Sequence, residues 1–214
     1  LYGRMLFSMV VSLYTSRVVL NTLGVVDYGI YGVVGGFVAL FSLISSSLSS
    51  AVSRFLTFEL GRGDKERLNK AFSTSLLIHI VLAIVVFIVA ETVGIWFVNN
   101  KMTIPSDRLY AANWVFQASI LSFMFGLFSV PYNASIVSHE KMSAFAYIGI
   151  LDTTLRLCVV LFIAYSSWKF DKLIVYSMLL VAVSISLQCI YLIYCRKHFE
   201  ECRLKISFDK EFWK

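Results

Sequence analysis

Charge is what this sequence lacks most. Aspartate, glutamate, lysine and arginine make up 15% of its residues, while 58% are hydrophobic. A soluble globular domain is nearer a quarter charged and half apolar, which excludes an ordinary water-soluble fold. There are only two prolines and four cysteines, and Cys158, Cys189, Cys195 and Cys202 are spaced too irregularly for a C-x-x-C metal or redox pair. Free thiols are expected. No stretch alternates apolar and polar residues long enough for an outer-membrane barrel strand. No P-loop, G-x-S-x-G, H-E-x-x-H or dinucleotide fingerprint occurs, and the acids are scattered over different depths and loops, which disfavours an ATPase or hydrolase. His79, His139 and His198 do not cluster in sequence. No catalytic residue, metal site or cofactor is expected.

Long apolar runs are present instead. Six are counted, at 5–23, 30–51, 71–98, 111–137, 145–165 and 173–194. Each approaches or exceeds the roughly 20 residues that cross a bilayer core as a helix, and in lipid only helices or closed barrels satisfy the backbone. The expected fold is therefore all-α and integral to the membrane, a six-helix bundle over 1–195 followed by an amphipathic cytoplasmic linker over 196–214. The net charge of +6 is placed by sidedness, not by nucleic acid. Arg62, Lys65, Arg67, Lys70, Lys141 and the basic residues after Tyr194 mark the cytoplasmic side. The alternate connections hold only Lys101, Arg108, Lys169 and Lys172. Both ends of the segment are thus expected inside. Trp96, Trp114 and Trp168 near segment ends fit the headgroup zone. The first apolar stretch carries Arg17 and no cleavage site, so it does not read as a signal peptide, and the opening Leu1 reads as a truncation.

Polar residues within the apolar runs are the informative ones, because a charge in lipid costs several kcal/mol unless it meets a partner or a wet cavity. Arg17 lies one turn before Asn21; it either faces a cavity or snorkels to the outer headgroups. Arg54 continues a stripe with Ser46, Ser47 and Ser50, or simply anchors the cytoplasmic end. Arg156 falls near the middle of the fifth run and is expected to be buried in protein or water, with Asp152 one turn earlier as a structural ion pair or as the group that holds and releases it. Glu91 reads as an ion site or an interfacial residue, and His79, three turns before it, as a hydrogen-bonded packing residue or part of a relay. Asn133 beside Pro131 reads as a kink with a polar group. The small residues of Gly32-Val33-Val34-Gly35-Gly36 read as close helix packing or as a cavity wall.

The stretch from Ser12 to Gly24, SLYTSRVVLNTLG, followed by Asp27-Tyr28-Gly29-Ile30-Tyr31, resembles the opening of bacterial polysaccharide-export flippases. So do Arg54-Phe55-Leu56-Thr57-Phe58-Glu59-Leu60-Gly61-Arg62-Gly63-Asp64 and Val130-Pro131-Tyr132-Asn133-Ala134-Ser135. These translocases for O-antigen and capsule belong to the multidrug/oligosaccharidyl-lipid/polysaccharide exporter superfamily, and the resemblance extends over essentially the whole chain. It implies a two-lobed transporter of twelve to fourteen helices, of which this chain is the N-terminal lobe, in a bacterial inner membrane. It also implies an undecaprenyl-pyrophosphate-linked oligosaccharide as substrate, flipped by alternating access for surface polysaccharide and lipopolysaccharide export. Membrane lipids and a second lobe of the same polypeptide are the implied partners.

Relatives use arginines on early helices for the lipid pyrophosphate, which matches Arg17 and Arg54; Arg156 is added from the cost of burying it. Glu91, Asp152 and Asn133 are the ion-coupling or cavity candidates. Drug or cation antiport on the same fold would favour buried acids, whereas here buried basic residues outnumber them. A membrane glycosyltransferase or polysaccharide polymerase would need a large polar loop or paired acids near one interface. A non-catalytic assembly partner would leave Arg156 and Asp152 without a use.

Overall fold

A computed structural model describes residues 2–165 and 171–202. Residues 203–214 of the expected linker, together with Trp168 and Lys169, lie outside the described residues. The described chain is helical throughout its regular elements, with no strand. In order these are α1 (Tyr2–Arg62), α2 (Lys65–Val89), a π-helical turn (Ala90–Gly94), α3 (Ile95–Asn100), α4 (Leu109–Ser138), α5 (Met142–Tyr165) and α6 (Lys172–His198).

Among the described residues five helices are long and apolar enough to cross a membrane, against the six expected, because the first two apolar runs share α1. At about 1.5 Å per residue a straight helix of 61 residues would extend for about 90 Å, three times a bilayer core. It is not straight. Gly24 interrupts it with φ +83° and ψ 169°, a backbone conformation in effect reserved for glycine. The expected connection over 24–29 thus contracts to a single non-helical residue. Ser16 and Tyr28 hydroxyls hydrogen-bond at 3.0 Å across this break. Twelve residues apart in a continuous helix they would stand about 18 Å from one another, so the chain turns at Gly24.

Local signals set the other boundaries. Gly63 (φ +74°) ends α1 and gives its N–H to the Leu60 carbonyl. Asp64 then caps α2, its Oδ1 accepting from the N–H groups of Glu66 and Arg67 at 3.0 and 3.1 Å. Asp171 caps α6 through Leu173 N–H in the same way. Between α1 and α2 only Gly63 and Asp64 are non-helical, a tighter connection than the one expected over 59–70.

The helix α4 is central, packing against α1, α2 and α6, while α5 packs mainly on α1 and α6. At one end Leu56, Phe72, Tyr132, Ile136 and Cys195 form a core, with Phe72 and Tyr132 rings edge to face at 5.3 Å. At the other, Val34, Val98, Val115, Phe116 and Leu173 form a second. A smaller core beside the α1 break joins Val19, Val160, Ile163, Tyr176 and Leu180.

Close helix approach occurs at a glycine other than those expected. A Cβ on Gly29, Gly32, Gly35 or Gly36 would meet nothing within 4 Å, so within the described residues this stretch is not a tight helix contact. A Cβ on Gly94 would lie 2.3 Å from the Phe116 ring and 3.1 Å from Phe37. Much of the outer surface is apolar: Leu6, Val25, Leu43 and Tyr147 are each more than half exposed, as side chains facing lipid or another helical body are.

Candidate functional site

The first part of α1 places Ser8, Ser12, Thr15, Ser16 and Val19 on one face, following the three- and four-residue spacing of a helix. Thr153 and Arg156, three apart on α5, face them, and Tyr28, Tyr31 and Tyr176 complete a recess of about 320 Å³. Nine of its ten lining residues carry polar side chains, in a chain that is 58% hydrophobic. That concentration of polar residues singles the recess out as a candidate site.

Each hydroxyl is already supported. Ser12, Thr15 and Thr153 donate to the carbonyls of Ser8, Val11 and Gly149, which satisfies them within their own helices. Ser8 and Thr153 bond to each other at 3.2 Å and join α1 to α5. Tyr31 and Tyr176 rings meet edge to face at 5.2 Å.

Arg156 supplies the charge. Its Nε donates to Asp152 Oδ1 at 2.7 Å, in the acid-before-base order that suits a helix turn. Of the two settings expected for Arg156, protein or water, the structure has the open one: its side chain is 47% exposed, and that of Asp152 35%. It escapes burial because it opens on the recess and not on the packed core. The ion pair uses Nε, and among the described residues the two Nη groups have no hydrogen-bond partner.

A second arginine, missed in the sequence, extends this charged side. Arg4 lies over the Phe145 ring at 4.2 Å, and its Nη1 occupies the space where a Cβ on Gly149 would sit, 2.7 Å away. Both Arg4 and Asp152 act electrostatically on Tyr191 of α6. The available signal was spacing, since Arg4 precedes Ser8 by one helical turn.

The other candidates are not gathered there. Arg17 and Arg54 are exposed, line no part of the recess and make no ion pair among the described residues. The serines beside Arg54 are exposed too, and Ser46, Ser47 and Ser50 donate to carbonyls of their own helix. Glu91 is half-buried in the π turn. Asn133 is half-buried on α4, which stays helical through Pro131; its Oδ1 is buried without a partner. His79 is fully buried and donates from Nδ1 to the Ser75 carbonyl at 2.7 Å, while its Nε2 is buried without a partner among the described residues.

Two polar clusters at the ends of the bundle were also missed. Before α4, Arg108 bridges Asp27 of α1 at 3.2 Å and Asp171 at the start of α6 at 2.6 Å. At the opposite end, His139 pairs with Glu201 and stacks on Phe199, while Lys65 pairs with Glu200 at 2.8 Å and Asn69 donates to the Glu201 carbonyl. Sequence distance hid both: the partners stand 60 to 135 residues apart in the chain.

Comparison with known proteins gives these features a context. An uncharacterized membrane protein of Bacillus subtilis (strain 168), EpsK, is 26% identical over 104 residues, which are 49% of this chain and 20% of that protein. No solved structure matches the chain significantly. The family model MatE matches residues 3–162. With three-quarters of its length inside that match, the chain belongs to the MatE family of the multidrug/oligosaccharidyl-lipid/polysaccharide exporter superfamily, whose members are membrane transporters and not enzymes.

Proposed function

We propose that the chain is the N-terminal lobe of an inner-membrane exporter that flips an undecaprenyl-pyrophosphate-linked oligosaccharide by alternating access. The observation that carries this reading is Arg156, half exposed in a recess to which eight hydroxyl-bearing side chains and Val19 also contribute. An anionic pyrophosphate needs a cation inside the bundle, and a sugar chain needs hydroxyl partners; the lipid tail stays in the bilayer. With the two parts of α1 counted as separate spans the bundle would cross six times, and the basic residues near Arg62 and Arg196 support a cytoplasmic position for both ends of this segment. A second lobe would cover the exposed apolar face and close the transport cavity, and rocking of the lobes would expose it to either side.

Export of drugs or cations is the second reading, because the superfamily includes it and Asp152, one-third exposed beside Arg156, offers an acid for a cationic substrate. A glycosyltransferase or polymerase role has no support from the family. The deciding experiment is translocation of a labelled undecaprenyl-pyrophosphate oligosaccharide in proteoliposomes by the full-length protein and its Arg156→Ala form. Flipping by the parent and its loss in a well-folded variant supports the proposal. Equal flipping makes Arg156 structural, and an inactive parent that exchanges an organic cation for protons favours the second reading.

A further inference from the structure

We infer that Asp27, bridged by Arg108 to Asp171 at one end of the bundle, is a proton-binding site that fastens or frees the second part of α1. Asp27 is buried, with its side chain 7% exposed. Its Oδ2 lies 3.2 Å from Arg108 Nη2, while its Oδ1 is buried with no hydrogen-bond partner. Arg108 is shared: its Nη1 reaches Asp171 Oδ2 at 2.6 Å, and Asp171 Oδ1 caps α6 through Leu173 N–H. Asp171 is therefore fully engaged, and Asp27 is the carboxylate left short of donors.

One guanidinium cannot neutralise two carboxylates, so the trio carries one net negative charge when all three groups are ionised. An unpaired charge or an unsatisfied acceptor out of water is costly, and a proton on Oδ1 removes the charge. The proton comes from the aqueous side, and the trio goes from one net negative charge to none. No bond to Asp171 need break. Because Arg108 and Asp171 immediately precede α4 and α6, the trio sits at helix ends and not at mid-membrane depth.

The surrounding charges are consistent with this. The groups acting on Asp27 are Arg108, Asp171 and the exposed Asp107, so acids outnumber the single base. Tyr28, next on α1, is engaged with Ser16. Lys101 borders a groove with Val25, Val26 and Gly29, but its ammonium lies over the Trp96 ring. Lys172, after Asp171, is exposed. A bound metal ion is the weaker reading, since no group of three potential metal ligands occurs among the described residues.

Asp27 belongs to the α1 segment that leaves the break at Gly24, whereas Arg108 and Asp171 hold α4 and α6. Protonation leaves Arg108 with Asp171 and weakens its hold on α1, coupling the proton to movement of that segment. The inference does not depend on the transported substrate.

The test is infrared pH titration of the full-length protein in lipid nanodiscs, following the C=O stretch of protonated carboxyl groups. A band titrating apart from the exposed acids is expected, lost in Asp27→Asn and displaced but retained in Asp27→Glu. In Asp171→Asn it should persist with its midpoint at lower pH, because Arg108 then serves one carboxylate. A band unchanged in Asp27→Asn, or no such band in the parent, overturns the inference. The Glu and Asp171 variants keep the test decisive if Asp27→Asn does not fold.

Discussion

Ser16 and Tyr28 exchange a hydrogen bond across a helix break, and the break is a single glycine. Everything that the first apolar run contributes to the polar recess depends on that turn, because Ser8, Ser12 and Ser16 precede it while Tyr28 and Tyr31 follow it.

Gly24→Ala should therefore be damaging although a Cβ there meets no atom within 4 Å. The strain is in the backbone: φ +83° with ψ 169° costs a residue with a Cβ about 1–3 kcal/mol. Thermal unfolding of the purified protein in detergent should fall to lower temperature, whereas Gly32→Ala, in open helical surroundings, should leave it nearly unchanged.

Gly94→Ala tests the opposite mechanism. Its backbone is helical, so any loss must come from the added Cβ meeting Phe116 at 2.3 Å and, less closely, Phe37 at 3.1 Å. Overpacking of this kind costs about 1–3 kcal/mol. Pairing it with Phe116→Leu should recover part of the loss in the same unfolding measurement; failure of the double variant to recover would place the strain elsewhere.

The Asp152–Arg156 pair should matter more to transport than to folding. Half exposed, it contributes no more than about 1 kcal/mol to stability. Asp152→Asn should leave the melting transition almost in place, and Arg156→Gln should reduce transport of an anionic substrate by about tenfold or more, the scale of a lost charged hydrogen bond. Arg156→Lys should restore only part of it, since a lysine keeps the charge but not the planar fork.

At the other end, His139→Ala should loosen the residues after α6. The imidazole stacks on Phe199 at 4.2 Å and meets the Glu201 carboxylate, so its removal strips both contacts from the segment. Faster amide hydrogen exchange is expected at 199–202, with the middle of α4 unaffected.

Helix content and most apolar boundaries were legible because the bilayer demands long apolar runs. The first boundary was not, since Gly24 does alone what a polar loop of several residues was expected to do. Arg156 and Asp152 were found together because one helical turn separates them. The Arg108 bridge needed three remote connections brought to one place, which no periodicity encodes. Whether Arg156 would meet protein or water stayed open for a related reason: depth along a helix is readable from spacing, but whether the neighbouring helix presents serine or leucine depends on packing.

The π turn at Ala90–Gly94 admits one residue more than an α-helical turn would. An α-helix advances about 100° per residue, so the surplus rotates everything beyond it relative to what came before. Phe72 can thus meet Tyr132 below the turn while Phe97 stacks on Phe37 at 5.6 Å above it. Removing one residue from this stretch would leave a more regular rod with one of those two partnerships out of phase. A span of this kind is a vernier, set once by the length of its widest turn.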